Sequence, residues 1–206
     1  MKQMIPKIRD FCHRDGVALG LSLLGPLAMG TIHLVFVLIR FDWILLNYSI
    51  FSYLMAFFKV WQWGIEKRDI KPGPYLSGVI SMGVVLAPMM AAFVLTILFR
   101  DTPHYFLDWL IYAYAFYGTV KIVFAILHLR KKNKTPRQDV LSWLGLIGAF
   151  YTMQMVEFSL IMTFGSNGDH GMYLMQLFTQ GAIFLFSLFV IGLFAYKAVI
   201  SRRKGD

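Results

Sequence analysis

The sequence is short of what a water-soluble domain is built from. Only 15% of its 206 residues are charged, against about a quarter in an ordinary soluble domain. Acidic residues number 11. There is one cysteine, Cys12, so no intrachain disulfide can form. Cys12 lies in a basic N-terminal segment outside the apolar runs, which reads as a reduced thiol and leaves nothing for an intramembrane cysteine protease. No His-Glu-x-x-His, Gly-x-Ser-x-Gly, P-loop or glycine-rich dinucleotide fingerprint occurs. These absences argue against an enzyme and give no catalytic residue and no cofactor. No metal set is read: His33 has no second His or Cys at ligand spacing, and His104 and His170 stand only beside Asp101 and Asp169.

What is present is apolar. Hydrophobic residues make up 58% of the chain, and the mean hydropathy is +0.61. Burying that surface calls for lipid rather than a larger core. A helix needs about 20 apolar residues to cross the hydrocarbon. Six stretches qualify, at about 17–39, 43–64, 76–99, 105–129, 140–164 and 172–200. Their apolar runs are continuous rather than alternating, which predicts helices and not a barrel. The first run exceeds a signal-peptide core of about 7–15 residues and is followed by Arg40-Phe41-Asp42-Trp43 rather than a small-residue cleavage site. It is expected to be a true span.

The connectors alternate. Those after spans 1, 3 and 5 are short, and those after spans 2 and 4 are longer and basic. Sixteen of the 20 Lys and Arg lie on one side. They are Lys2, Lys7, Arg9 and Arg14, then Lys67, Arg68 and Lys71, then Arg130, Lys131, Lys132, Lys134 and Arg137, then Lys197, Arg202, Arg203 and Lys204. Arg40 and Arg100 fall on the other side, with Asp42, Asp101, Asp108 and Asp169. The expected fold is therefore an all-α polytopic bundle of six transmembrane helices in three hairpins, one integral membrane domain over 1–206. Both termini are expected in the cytoplasm. The net charge of +9 is then a topology signal and an anionic-lipid contact, not a nucleic-acid footprint. Trp43, Trp61, Trp63, Trp109 and Trp143 stand near span ends as an interfacial belt.

A faint repeat runs through the first two hairpins. Gly25-Pro26 in span 1 and Ala87-Pro88 in span 3 are each followed by a lysine in the next span, Lys59 and Lys121. Duplication and chance both fit. The two lysines are expected to snorkel toward the cytoplasmic interface, with a counter-ion for an anionic substrate as the sharper alternative.

Glu157 is the residue that most invites a functional reading. It sits roughly 10 Å below the outer end of span 5, where an ionisable group costs about 2–3 kcal/mol. Gln154 shares its face, and Gln176 and Gln180 form an i, i+4 pair at similar depth in span 6. Two readings fit. One is an outward-facing polar pocket binding a small solute or cation, to which His33 and Asn47 contribute. The other is an interhelical hydrogen-bond clamp. The matching functional expectation is a transport or channel protein. Its rival is a non-transporting module that binds a partner protein or anionic lipid through the basic face of Arg130, Lys131, Lys132, Lys134 and Arg137. A homo-oligomer is also compatible. The lone acid Glu157 keeps an enzyme from being ruled out.

The C-terminal half carries Leu129-Arg130-Lys131-Lys132-Asn133, the span pattern Tyr151-Thr152-Met153-Gln154-Met155-Val156-Glu157, and Thr163-Phe164-Gly165. In these features it resembles a group of six-span membrane proteins of Firmicutes with no assigned function. The resemblance implies a Gram-positive plasma membrane and nothing about activity. In size, topology and basic loops the chain also looks like the substrate-binding subunits of energy-coupling vitamin transporters, without any motif of theirs.

Overall fold

The computed structural model describes residues 4–39, 41–68, 73–98, 108–130, 132, 134–164 and 170–203. They form six helices: α1 (Met4–Ile39), α2 (Trp43–Arg68), α3 (Pro74–Leu98), α4 (Asp108–Arg130), α5 (Pro136–Phe164) and α6 (His170–Arg203). Each is long and apolar enough to cross a membrane. The chain is an all-α, multi-pass membrane protein, as its hydropathy predicts.

The helix starts follow local chemistry. Asp42 caps α2: its Oδ1 accepts from the Ile44 and Leu45 amides at 2.8 and 3.3 Å. Thr135 and Gln138 form a capping box before α5, each side chain reaching the other's amide at 3.3 Å. Pro136 takes the first helical position, where its missing N–H costs nothing. This cap starts α5 four residues before the apolar run. At the other end of that connector, Lys134 Nζ donates to the Leu129 carbonyl at 2.7 Å, closing α4 with a cation where the helix dipole favours one. α1 has 36 residues and α6 has 34. At 1.5 Å per residue each runs about 50 Å, well beyond a hydrocarbon core of about 30 Å. Lys7, Arg9 and Arg14 thus stand on the same helix as the first span.

The contacts fix an alternating up-and-down order. α5 and α6 meet through Glu157 with Thr179 and Asp139 with Lys197, so they run antiparallel. α3 and α6 do likewise through Thr96 with Gln180 and Met89 with Ser187. α3 and α5 run parallel, with Pro88 against Tyr151 and Gly78 against Val140. α1 therefore begins and α6 ends on one side of the bundle, called the near side below.

Hairpin order in sequence is only partly hairpin order in packing. α1 packs on α2 and α5 on α6, as the short connectors suggest. Among the described residues α3 and α4 make no such contact: α4 lies along α5, and α3 lies against α2, α5 and α6. α5 is the most enclosed helix, with 61% of its membrane window buried, and α2 follows at 50%. α1, α4 and α6 are each 22% buried, so they form the lipid-facing wall. Phe116, Phe124, Phe178, Leu185 and Phe189 project outward from α4 and α6, a surface that suits acyl chains and not water.

Small residues and side-chain hydrogen bonds allow close approach at the interfaces, as expected where lipid removes the hydrophobic drive for helix association. Ser49 Oγ donates to the Gly30 carbonyl at 2.8 Å across α1–α2. Gln62, buried in α2, accepts from Ser77 Oγ at 3.0 Å and donates to Ser81 Oγ at 3.2 Å on α3. This near-side lock between α2 and α3 has no counterpart in the sequence expectations.

Candidate functional site

Five of the six residues expected to line one pocket separate into two groups, and the sixth, Gln154, is buried in α5. Gln176, Gln180 and Glu157 lie where α3, α5 and α6 meet. Gln180 Nε2 donates to Thr96 Oγ1 at 2.9 Å, and Thr96 in turn donates to the Ala92 carbonyl at 2.9 Å. Thr179 Oγ1 donates to Glu157 Oε1 at 3.1 Å. Glu157 is half-buried, whereas Gln154, Gln176 and Gln180 are buried. Gln176 Nε2 and Gln180 Oε1 find no hydrogen-bond partner among the described residues.

His33 and Asn47 belong to a different place. A cavity of about 20 Å³ lies between α1, α2, α4 and α5, room for one water-sized species. Its wall includes His33, Tyr48, Tyr117, Lys121, Tyr151 and Thr152. His33 is 2% exposed, and neither ring nitrogen has a partner among the described residues. It packs on Tyr114 and Tyr48, with ring centroids 5.4 and 6.1 Å away. The buried Tyr114 hydroxyl is likewise unpartnered among the described residues. Asn47 stands behind the wall. Its Nδ2 donates to the Tyr151 hydroxyl and to the Pro88 carbonyl, both at 2.9 Å, and Tyr151 also donates to that carbonyl at 3.3 Å. Asn47 thus ties α2, α3 and α5 together and positions Tyr151.

Lys121 corrects an expectation. It does not snorkel. Its Nζ donates to the Gly148 carbonyl at 3.1 Å and to Thr152 Oγ1 at 2.9 Å on α5, and lies 5.0 Å from the Tyr117 ring centroid one turn back. A helical side chain leans toward its own N-terminus, here away from the near side. Lys121 stands at the middle of its apolar stretch, Ile111–Arg130. An ammonium there costs about 2.5–3.5 kcal/mol on insertion scales and is expected to face the bundle interior. Two glycines make the room. A Cβ at Gly148 would lie 2.6 Å from Met55 Cε, and one at Gly25 would lie 2.2 Å from the Tyr117 hydroxyl oxygen.

Lys59 has another task. Pro26 has no N–H to return to the Ser22 carbonyl one turn earlier in α1, and Lys59 Nζ donates to that carbonyl at 2.8 Å. Lys121 does nothing comparable for Pro88, since its Nζ bonds Gly148 and Thr152 on α5. The Pro–Lys units of the first two hairpins therefore differ in role.

On the near side Arg130 and Lys132 are exposed, and Lys134 and Arg137 are half-buried. Lys131 lies outside the described residues, as do His104 and Asp101. Among the described residues no group of three or more His, Cys, Asp or Glu side chains could hold a metal ion.

The chain matches no protein-family model, no curated protein and no solved structure.

Proposed function

We propose that this chain is a transport-type membrane protein that takes a small polar solute or ion into the far half of its bundle. One observation carries the reading. Of the five residues with a buried side-chain atom that has no partner among the described residues, four (His33, Tyr114, Gln176 and Gln180) carry it toward the helix end remote from the near side, and the fifth, Arg137, stands on the near side and is engaged through other contacts. A buried unpaired polar atom costs about 1–3 kcal/mol. Packing alone gives no reason to gather four residues with such atoms in one half of a bundle, and a polar ligand does. Glu157 adds a carboxylate at the same depth, fitting a cation or a proton. The charge bias of the loops supports near side as cytoplasmic, which makes this half outward-facing. With the resemblance to Firmicutes proteins, it supports a bacterial plasma membrane.

The test is flux into proteoliposomes loaded with a proton-sensitive or alkali-cation-sensitive dye. Glu157→Gln should lower flux at least tenfold with the unfolding temperature little changed. Equal flux at equal stability would remove Glu157 from the site.

A second reading is favoured by the exposure of Arg130 and Lys132 on the α4–α5 connector. In it the protein is a non-transporting module whose basic face docks an acidic partner or anionic lipid. Neutralising Arg130, Lys132 and Lys134 would then abolish partner co-purification, while the transport reading expects flux to persist in that variant.

A further inference from the structure

The cavity between α1, α2, α4 and α5 has a one-sided chemistry. Its polar lining consists of the Lys121 ammonium, the His33 ring, the Tyr48, Tyr117 and Tyr151 phenols, and the Ser52 and Thr152 hydroxyls. The Tyr151 hydroxyl proton goes to the Pro88 carbonyl and that of Thr152 to the Gly148 carbonyl, so the donors left for the cavity are the Lys121 ammonium, the His33 ring and the Tyr48, Tyr117 and Ser52 hydroxyls, of which only the ammonium has no acceptor lone pair. The rest of the wall is Pro26, Phe51 and the methionines Met29, Met55 and Met155. No carboxylate among the described residues lines it. The described acidic side chains have other partners: Asp42 caps α2, Asp139 pairs with Lys197, and Glu157, near Tyr48 but not in the lining, accepts from Thr179 on α6.

Lys121 Nζ at mid-membrane thus has two dipolar partners, the Gly148 carbonyl and the Thr152 hydroxyl, and no carboxylate among the lining residues, so its charged form lacks a counter-charge. Lys59, one turn beyond Met55 on α2, is a second lysine near this region, with its Nζ on the Ser22 carbonyl rather than in the lining. A buried charge in a low-dielectric surround is ordinarily paired. His33, buried and unpartnered on the same wall, offers an N–H to an acceptor of either charge, but Lys121 selects an anion. The cavity volume of about 20 Å³ sets the size at one water-like sphere.

We propose that this cavity is a binding site for a small monovalent inorganic anion of halide size, held between the Lys121 ammonium and a ring N–H of His33. The site shares His33 with the proposed solute path. It does not require that anything cross the membrane.

The experiment uses the full chain purified in detergent, with bromide as probe. Crystals soaked in bromide should show an anomalous peak within hydrogen-bond distance of Lys121 Nζ. In solution, replacing gluconate by chloride at constant ionic strength should raise the unfolding temperature in a saturable way. Lys121→Met should weaken the apparent chloride affinity at least tenfold, and Lys121→Arg should retain most of it. A cavity without an anomalous peak overturns the proposal on the unaltered protein, whether or not the variants fold. So does chloride stabilisation that is unchanged in Lys121→Met. Bromide bound in the cavity with no halide flux in vesicles upholds the site, and the transport reading is then decided by the Glu157→Gln flux test alone.

Discussion

Removing the ammonium of Lys59 tests whether it stands in for the helical N–H that Pro26 lacks. Lys59→Met keeps the side-chain length and deletes the 2.8 Å bond to the Ser22 carbonyl. The single variant mixes two effects of opposite sign. It loses a bond from a charged donor, which is worth about 1.5–3 kcal/mol in soluble proteins. It also relieves the cost of holding an ammonium in a half-buried position inside the membrane. The coupling to Pro26 separates them. In Pro26→Ala the new backbone N–H can return to the Ser22 carbonyl, so the lysine has less to satisfy. Interhelical hydrogen bonds in bilayers average about 0.6 kcal/mol and reach about 1.7; a bond from a charged donor belongs in the upper part of that range. Lys59→Met should therefore cost about 1 kcal/mol more in the native background than in the Pro26→Ala background. A double-mutant cycle of unfolding free energies in bicelles measures this directly. Coupling within about 0.3 kcal/mol of zero is the scatter of independent sites, and would refute the role given to Lys59.

Three further outcomes follow from close contacts. Gly25→Ala places a Cβ 2.2 Å from the Tyr117 hydroxyl oxygen and should destabilise by about 1–3 kcal/mol; Tyr117→Phe should recover part of that loss in thermal unfolding. Asn47→Leu strips donors from the buried Tyr151 hydroxyl and Pro88 carbonyl, at a cost of about 1–3 kcal/mol, and should also loosen the cavity wall, read as faster hydrogen exchange in α5 near Tyr151. Asp139→Asn breaks the pair with Lys197, whose partners keep 18% and 32% of their side-chain exposure, so its cost should stay below about 1 kcal/mol.

The sequence states depth well and direction around a helix poorly. Six continuous apolar runs are enough to place six spans, because length and hydropathy are fixed by the hydrocarbon thickness. The depths of Glu157, Gln176 and Gln180 follow from counting residues, and the structure brings those three to one interface. Which neighbour each helix selects is set by shape. Gly118 admits Met153, and Gly148 admits Met55 and Lys121, so α4 settles on α5 although the short connector ties it to α3. Nothing in a hydropathy profile carries that preference. The same gap explains Lys121, whose depth allowed either snorkelling or burial. The glycine at 148 and the threonine four residues later were the available signal, legible only once α4 is known to face α5. His33 and Asn47 were grouped with Glu157 by depth alone, and the bundle separates them because they face other helices.

The arrangement that creates the cavity is the docking of α4 on α5 rather than on α3, and cysteine cross-linking in native membranes reads it directly. In a Cys12→Ser background, Gly118→Cys with Met153→Cys should form a disulfide rapidly under mild oxidation, since a Cβ at position 118 would already lie 2.7 Å from the Met153 sulfur. Val84→Cys with Phe124→Cys, both exposed positions level with the same turn of α5 on α3 and α4, should stay reduced. The reverse pattern, with the second pair linked and the first pair free, would contradict the bundle and with it the cavity built on Lys121 and His33.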